Sequence, residues 1–512
     1  MLMYNIENRI IKLWIAATVI ACLTLTLSAQ PSKKILRYGA DASSGAPYVF
    51  QNPKNMSQLV GFEVDIINEI AKDQGWKAKH VQNEWDGLIP GLERNDYDVA
   101  INGIEITEDR MGAVNFSIPY YSTFEQIVVR RDQEDINTMS DLVGKVVGTL
   151  DGSLAQKILE VQGGIDIRAY DDEAKSYKDL EFGRLDAVLI DEPVAKYYAG
   201  WNPQLKLAGQ PIGEVTYGIV TRKSDTILLD QINRSIDRMK KSGKLREILE
   251  HWNMWNFMMA GFMDDHKATN IPHIYYNDYL ESQGKHITFF DQLRRYIGFM
   301  PMLGEATLVT LSLSILSMLV AVTVGLFVVL LRVYAPQPFS GMAVIFIESI
   351  RGTPLLIQLY FIFYALPELG ILISPFLAGV IGLGLNYGAY EAENYRAGLF
   401  SVQRGQMEAA ISLGMTRNQA LRHVILPQAI RLVIPPMTND FISLLKDSSL
   451  VSVITMVELT KQYQLISNTY FNYIGMGILV AGIYLLIGLP FVKLAKLAER
   501  KFTVDKRKII KR

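Results

Sequence analysis

Cysteine occurs once in 512 residues, at Cys22. No intramolecular disulfide and no cysteine metal cluster can be built from one thiol, and the redox compartment is left open. No stretch fits GxxxxGK[ST] either, so the chain has no phosphate-cradling loop of its own. Neither sign of charge prevails: 51 Lys and Arg face 52 Asp and Glu, for a formal net charge of -1. Acidic residues concentrate in the first half, whereas Lys and Arg gather in one internal loop and at the C-terminus. A near-neutral total with segregated charge does not suit nucleic acid, and no such partner is expected. What the chain has in quantity is apolar length. Its mean hydropathy of +0.15 is high for a wholly soluble protein, and its length allows two or three domains. Part of it is therefore expected in a lipid bilayer.

Arg9 and Lys12 precede a charge-free stretch, 13–31, that ends in the small residues of "LTLSAQ". Residues 1–30 thus read as an export signal with cleavage near Ala29; retention as a signal anchor, or lipidation at Cys22, stays open. From 34 to 255 short β-rich runs ("YDVAING", "EQIVVRR", "KVVGTL", "DAVLID") alternate with helical periodicity. In "FEVDIINEIAKDQG" the apolar Val64, Ile66, Ile67, Ile70 and Ala71 recur at helical spacing, and Gly75 is a C-terminal stop. Alternating strands and helices imply mostly parallel sheets with a ligand cleft beyond the carboxyl ends of the strands. Residues 256–300 read as a linker plus an interfacial helix around "FFDQLRRYIGF".

After Gly304 the character switches. The stretches 306–331, 352–367, 369–390 and 462–492 are charge-free, and a bilayer needs about 20 such residues per helix. A fifth span is read at 432–457, although Asn439, Asp440, Lys446 and Asp447 interrupt it; intramembrane charges of this kind face a bundle interior or a pathway. The permease-like region is set at 301–503 with a basic tail at 504–512. Five spans place the loop 392–431, with Arg396, Arg404, Arg417, Arg422 and Arg431, and the tail, with Lys493, Lys496, Arg500 and Lys501, on the cytoplasmic side. The loops assigned outside are nearly free of Lys and Arg, Lys461 excepted.

The loop holds "EAAISLGMTRNQALRHVILPQAIR": Glu408, Ala409, Ala410, then Gly414, then Val424, Leu426 and Pro427. A short helix, a glycine turn, and a second helix stopped by Leu426-Pro427 make a knob. This resembles the EAA loop of bacterial import permeases, with Val424 where isoleucine is usual. "SIRGTPLLIQLYF", "LNYGAYEAENYRAG" and "TNDFISLLKDSSLVSVI" extend the likeness to permeases for polar amino acids. The resemblance implies an all-α membrane domain whose knob docks on a separate cytoplasmic ABC ATPase subunit, in a bacterial inner membrane, with two copies pairing through the permease domain; pairing with another permease stays open.

The first domain resembles the extracytoplasmic solute-binding proteins for polar amino acids, in "GFEVDIINEIAKDQGW", "EWDGLIPGLERNDYDVAINGIEITEDR", "VNFSIPYY", "VGTLDGSLA" and "GRLDAVLIDEPVA". That implies an α/β two-lobed periplasmic-binding-protein-like fold, type II, with a polar amino acid as ligand. An α-amino acid needs a planar cation for its carboxylate and an anion for its ammonium on opposite walls of a cleft. By the resemblance Arg110 in "ITEDR" takes the carboxylate and Asp191 in "LIDEP" the ammonium. Ser153 adds a donor at a helix N-terminus or simply caps it; Trp85 packs on the ligand or in the core; Asn102 completes the set. Two departures stand out. Glu105 sits where relatives carry a small hydroxyl residue, and "DASSGAPY" replaces an aromatic stretch, which brings Asp41 into question. Both are expected to tune side-chain selection, and Asp41, Glu105 and Asp191 together mildly favour a cationic side chain, with glutamine, or glutamate with a protonated partner, left open. No catalytic residue, metal or cofactor is called for. Two rivals, a glutamate-receptor-like channel and an enzyme on a binding-protein fold, lack a use for the EAA loop.

Overall fold

The computed structural model describes residues 34–43, 45–284, 289–470 and 472–502. The expected export signal and the basic tail at 504–512 lie outside the described residues. Each lobe of the first domain is built on a five-stranded sheet. One sheet runs, in spatial order, Lys77–Gln82, Ile35–Ala40, Val99–Ala100, Val220–Thr221, Asn115–Phe116; the other runs Leu205–Tyr217, Tyr121–Arg130, Ala187–Asp191, Val146–Leu150, Asp166–Tyr170. The sheets are mixed rather than simply parallel. Val220–Thr221 opposes both of its neighbours in the first, and Tyr121–Arg130 opposes both in the second. The reason is the connection between lobes. Tyr121–Arg130 carries the chain into the second lobe and Leu205–Tyr217 carries it back, so the two pair antiparallel from Leu205↔Arg130 to Tyr217↔Tyr121.

The helix Phe62–Asp73 buries Phe62, Val64, Ile66, Ile67, Ile70 and Ala71, and Gly75 follows its end at φ 70°, as the periodicity implies. Burying each such Ile stabilises the lobe by roughly 1.5–3 kcal/mol. The core continues past residue 255. Met259 in helix Phe257–Phe262 and Tyr279 in helix Ile274–Gly284 are buried in the same cluster as Phe50, Tyr197 and Trp252. Most of the segment read as a linker is thus packed on the binding domain.

The interfacial helix around "FFDQLRRYIGF" is not separate from the first span. One helix runs through both, Phe289–Tyr334, 46 residues long, with Pro301 inside it. Proline removes one backbone donor, but no glycine pair or polar break accompanies it to end the helix. At 1.5 Å per residue the helix is about 69 Å long, more than twice a bilayer core. Among the described residues, two helices are long and apolar enough to cross a membrane, Gln292–Tyr334 and Tyr473–Leu497. A third counts if Phe339–Gly352 and Leu355–Ala365, bent by 107°, form one broken span. The stretch 462–492 is divided between Leu459–Tyr470 and Tyr473–Phe502.

The remaining expected spans correspond to Pro375–Ser401 and Leu426–Asp447, less apolar because they carry the bundle's polar groups. Pro375–Ser401 lies against the long helix through small residues. A Cβ at Gly384 would sit 2.6 Å from Val320 Cγ1, and one at Gly325 2.7 Å from Glu391 Cβ, so glycine lets the backbones approach. Polar contacts inside the bundle include Tyr387 to Asp447 (2.6 Å) and Asn394 to Asp440 (2.7 Å), while Glu393 takes both Arg332 and Arg396.

The helix Leu459–Tyr470 faces the binding domain. Lys461 donates to Glu84 at 2.8 Å, Tyr470 to the Pro53 carbonyl at 2.8 Å, and Asn468 to Asp172. Beside them the Arg94 guanidinium lies over the Phe363 ring at 4.4 Å. Pro53, Glu84 and Arg94 belong to the first lobe and Asp172 to the second, so one 12-residue helix engages both. Lys461, the basic exception among the loops expected outside, is buried there with Glu84 as its partner.

Candidate functional site

The cleft lies between the lobes, at the carboxyl end of strand Ala187–Asp191 and the start of helix Leu154–Gln162. Its lining includes Tyr48, Trp85, Asn102, Glu105, Ser153 and Asp191. Arg110 enters from the first lobe on helix Glu108–Ala113. One arm donates to the Gly152 carbonyl of the second lobe at 3.0 Å; the other donates to the Glu105 carbonyl at 3.1 Å and to the Glu105 carboxylate. Glu105 Oε1 also accepts from the Leu154 backbone N–H at 3.0 Å, at the free N-terminus of a helix. Glu105 is therefore the partner of Arg110 rather than a lone reader of side chains. Glutamate is long enough to reach across the cleft, where a small hydroxyl residue is not.

Ser153 caps helix Leu154–Gln162: its hydroxyl accepts from the Gln156 N–H at 3.2 Å and donates to the Leu150 carbonyl at 2.7 Å. Trp85 donates its indole N–H to the Asn102 carbonyl at 3.0 Å, and its ring faces the Arg110 guanidinium at 5.1 Å. Asn102 also accepts from the Asp41 N–H at 2.7 Å. Asp41 stands apart from the lining residues. Its carboxylate accepts from the Ser43 N–H, the Ser43 hydroxyl and Gln82, which ties down its own loop. All three of these bonds fall on Oδ1.

On the opposite wall Asp191 accepts from the Tyr48 hydroxyl at 3.2 Å and from the Tyr217 hydroxyl; the two phenols are 2.9 Å apart. Burial pushes the Asp191 carboxyl up to about 7, with Glu105 adding to the rise. Behind it lies Glu125, fully buried on the crossover strand, whose oxygens receive no N–H or hydroxyl donor. Burial pushes its carboxyl well above the usual carboxylate range, and Asp191 and Glu105 push the same way. Oxygens of Glu105, Glu125 and Asp191 all lie within 4.8 Å of one another. Hard oxygen ligands at that spacing could hold a metal ion, but the guanidinium bonded to Glu105 competes for one of the three. Glu63 is a further buried acid, accepting from the Gly103 N–H at 2.8 Å and the Tyr120 hydroxyl at 2.5 Å; burial raises its carboxyl to about 8.

Sequence reasoning missed Glu125, Glu63, Tyr48 and Tyr217. Glu125 had a signal, because a lone acid in the otherwise apolar run "FEQIVV" of a central strand has no solvent to face. The tyrosines had none, since buried phenols are common.

On the loop between Pro375–Ser401 and Leu426–Asp447, helix Arg404–Ser412 carries Glu408, Ala409 and Ala410, with Glu408 and Ala409 exposed and Ala410 buried. Gly414 follows at φ 86°, and nothing lies within 4 Å of the position a Cβ would take. Glycine is needed there for the left-handed backbone, not for the close approach of two helices. Arg417–Ala420 runs through the π-helical turn Leu421–Ile425 into Leu426–Asp447 without a break, and the wider π turn just before it accommodates the missing N–H of Pro427. Leu426-Pro427 thus lies within the second helix instead of stopping it as expected. Leu413 is 82% exposed, Ile411 47% and Leu426 42%, apolar side chains left uncovered by the described residues.

Two family models match. Residues 36–254 fit the bacterial extracellular solute-binding proteins, family 3, and residues 321–504 fit the binding-protein-dependent transport system inner membrane component. The class is therefore a solute-binding domain joined to a membrane permease. Among curated relatives, "Probable amino-acid ABC transporter permease protein y4tG" of Sinorhizobium fredii is 39% identical over 203 residues, 40% of this chain and 88% of that protein. "L-cystine transport system permease protein TcyB" of Bacillus subtilis is 43% identical over 166 residues, 32% of this chain and 71% of that one. "Glutamine transport system permease protein GlnP" of Escherichia coli is 37% identical over 206 residues, 40% and 94%. Solved structures similar to the first domain include "Structure of holo ArgBP from T. maritima" (35% identity, 43% of this chain, 96% of that one, TM-score 0.39). Another is "An ancestral arginine-binding protein bound to arginine" (35%, 43%, 98%, TM-score 0.41). The chain belongs to the amino-acid ABC transporter permeases and carries its solute-binding domain in the same polypeptide. It is a membrane transporter subunit and not an enzyme.

Proposed function

We propose that the chain captures a polar amino acid between Arg110 and Asp191 outside the cytoplasmic membrane and passes it through its own permease helices, driven by an ATPase docked at 408–427. The observation that carries this is a cation and an anion brought to one interlobe cleft from two lobes, next to a helix N-terminus. The ligand's carboxylate pairs with the guanidinium and its ammonium with Asp191 and the Tyr48 and Tyr217 phenols. Two copies pair through the membrane domain, and the basic loop faces the cytoplasm, which sets the binding domain on the opposite side. The relatives named for glutamine and cystine support a polar ligand.

Calorimetry on the full chain in lipid nanodiscs tests the binding step, and amino-acid-stimulated ATP hydrolysis after reconstitution with the ATPase tests coupling. Binding and stimulation by at least one polar amino acid are expected. A folded protein that binds none of the twenty would overturn the proposal.

A further inference from the structure

Arg110 and the first N–H of helix Leu154–Gln162 form an anion place, and the protein fills it from within. One carboxylate, Glu105, takes both donors: Arg110 at Oε2 and Leu154 at Oε1, the latter at 3.0 Å. These are the donors an α-carboxylate would need. The bonds join the two lobes, since Glu105 and Arg110 come from the first and Leu154 from the second.

A second, independent observation lies beside this one. Glu125 is fully buried, its oxygens receive no N–H or hydroxyl donor, and they lie within 4.8 Å of Glu105 and Asp191 oxygens. Such a group is costly to bury unless something is to meet it. The charges do not balance. Glu105 is matched by Arg110, whereas among the described residues no cation is bonded to Glu125 or Asp191, so acid is left over. A zwitterion with a neutral side chain brings no net charge to offset it.

On the reading that the cleft binds an α-amino acid, we infer that binding exchanges one carboxylate for another. The ligand's α-carboxylate takes the place of Glu105 on Arg110 and Leu154, and the released Glu105, together with Glu125, receives a cationic group on the ligand's side chain. The substrate class is amino acids with a guanidinium or ammonium side chain, and Glu125 determines that specificity. A neutral side chain would leave two carboxylates facing it without a partner, a cost that discriminates more sharply than any lost contact.

The full chain in nanodiscs is titrated with L-arginine, L-lysine, L-glutamine and decarboxylated arginine. At least one of arginine and lysine should bind about tenfold or more tighter than glutamine, and arginine about tenfold or more tighter than its decarboxylated form. Glu125→Gln, which keeps the shape, should weaken the cationic ligand about tenfold while glutamine changes by less than about threefold. Glu105→Gln should tighten glutamine, because the internal competitor for Arg110 is weakened. Decarboxylated arginine binding as tightly as arginine would show that Glu105 stays on Arg110 and overturn the exchange. Glutamine matching both cationic ligands, or Glu125→Gln weakening all ligands alike with an unchanged melting temperature, would overturn the cationic class. If no amino acid binds the folded wild type, the amino-acid reading itself fails, and the exchange with it.

Discussion

The cleft and the docking face both bury charge between parts of the chain that are far apart in sequence, yet they balance it differently. At the docking face Lys461 meets Glu84 and Asn468 meets Asp172. The cleft instead holds more acids than bases, with Glu125 lacking a donor and Asp191 relying on two phenols. A face on which each of these acids meets a donor from the other surface suits an interface between protein surfaces; a cleft that leaves an acid without one needs something from outside the chain. The contrast separates recognition of the solute from recognition of the loaded domain.

The largest effect is expected where the cleft loses its cation. Arg110→Ala should weaken amino-acid binding by roughly 2–5 kcal/mol, because the ligand carboxylate is then left without its charged donor. Calorimetry checks it, and an affinity within threefold of wild type would remove Arg110 from the site. Next comes pH. Glu105, Glu125, Glu63, Arg110, Tyr48 and Tyr217 surround Asp191, whose carboxyl titrates at about 7 because of its burial. A ligand ammonium favours the ionised form, so affinity should fall about tenfold for each unit below pH 7 and level off above it. An affinity flat between pH 5.5 and 7.5 would count against the assignment of Asp191.

Stability should move the other way. Asp191 and Asp172 rise from 3.8 to about 7 and Glu63 from 4.5 to about 8, burial being the first cause in each. Folding therefore takes up protons. The stability these groups contribute is full below about pH 4 and is lost as pH rises through about 7 and then about 8. Thermal unfolding of the full chain from pH 5 to 9 reads this directly.

A smaller change tests the docking face. Lys461→Met leaves Glu84 without its cation in a buried contact, at a cost of about 1–3 kcal/mol to the docked arrangement. Stimulated ATP hydrolysis should drop severalfold at unchanged amino-acid affinity; loss of affinity instead would mean that the two regions are not separable. The smallest effect belongs to Gly414→Ala. With open space around the site and φ at 86°, the cost is backbone strain of about 1 kcal/mol, felt in coupling and not in the cleft. Because space is not limiting, Gly414→Asn, which tolerates that backbone better, should lose less than alanine.

Much of the architecture was legible because its signals are local. Helical spacing in "FEVDIINEIAKDQG", the apolar lengths after Gly304 and the spaced motif from Glu408 to Pro427 each depend on neighbours in sequence. The cleft residues Arg110, Asp191, Ser153 and Trp85 could be proposed from motifs, but their bonding could not. That Glu105 bonds Arg110 and reaches Leu154 of the second lobe, and that Asp41 Oδ1 is taken by Ser43 and Gln82, are facts of the folded chain that no motif states. Lys461 was an anomaly of topology whose explanation lies 377 residues away at Glu84. The break between 352 and 355 and the union of 289–300 with the first span depend on packing that hydropathy does not encode.

The joining of the two domains has a kinetic consequence. Tyr279 is anchored in the binding domain and the long helix begins at Phe289. A connection of about ten residues reaches at most about 35 Å even when fully extended. A binding domain that lets go of the permease therefore stays in its vicinity, at an effective concentration on the order of millimolar. Capture by the permease is then first order and indifferent to how many other transporters share the membrane. An independent binding protein must find its permease by diffusion and can be titrated away; this one cannot, and its uptake rate should scale with the number of chains alone.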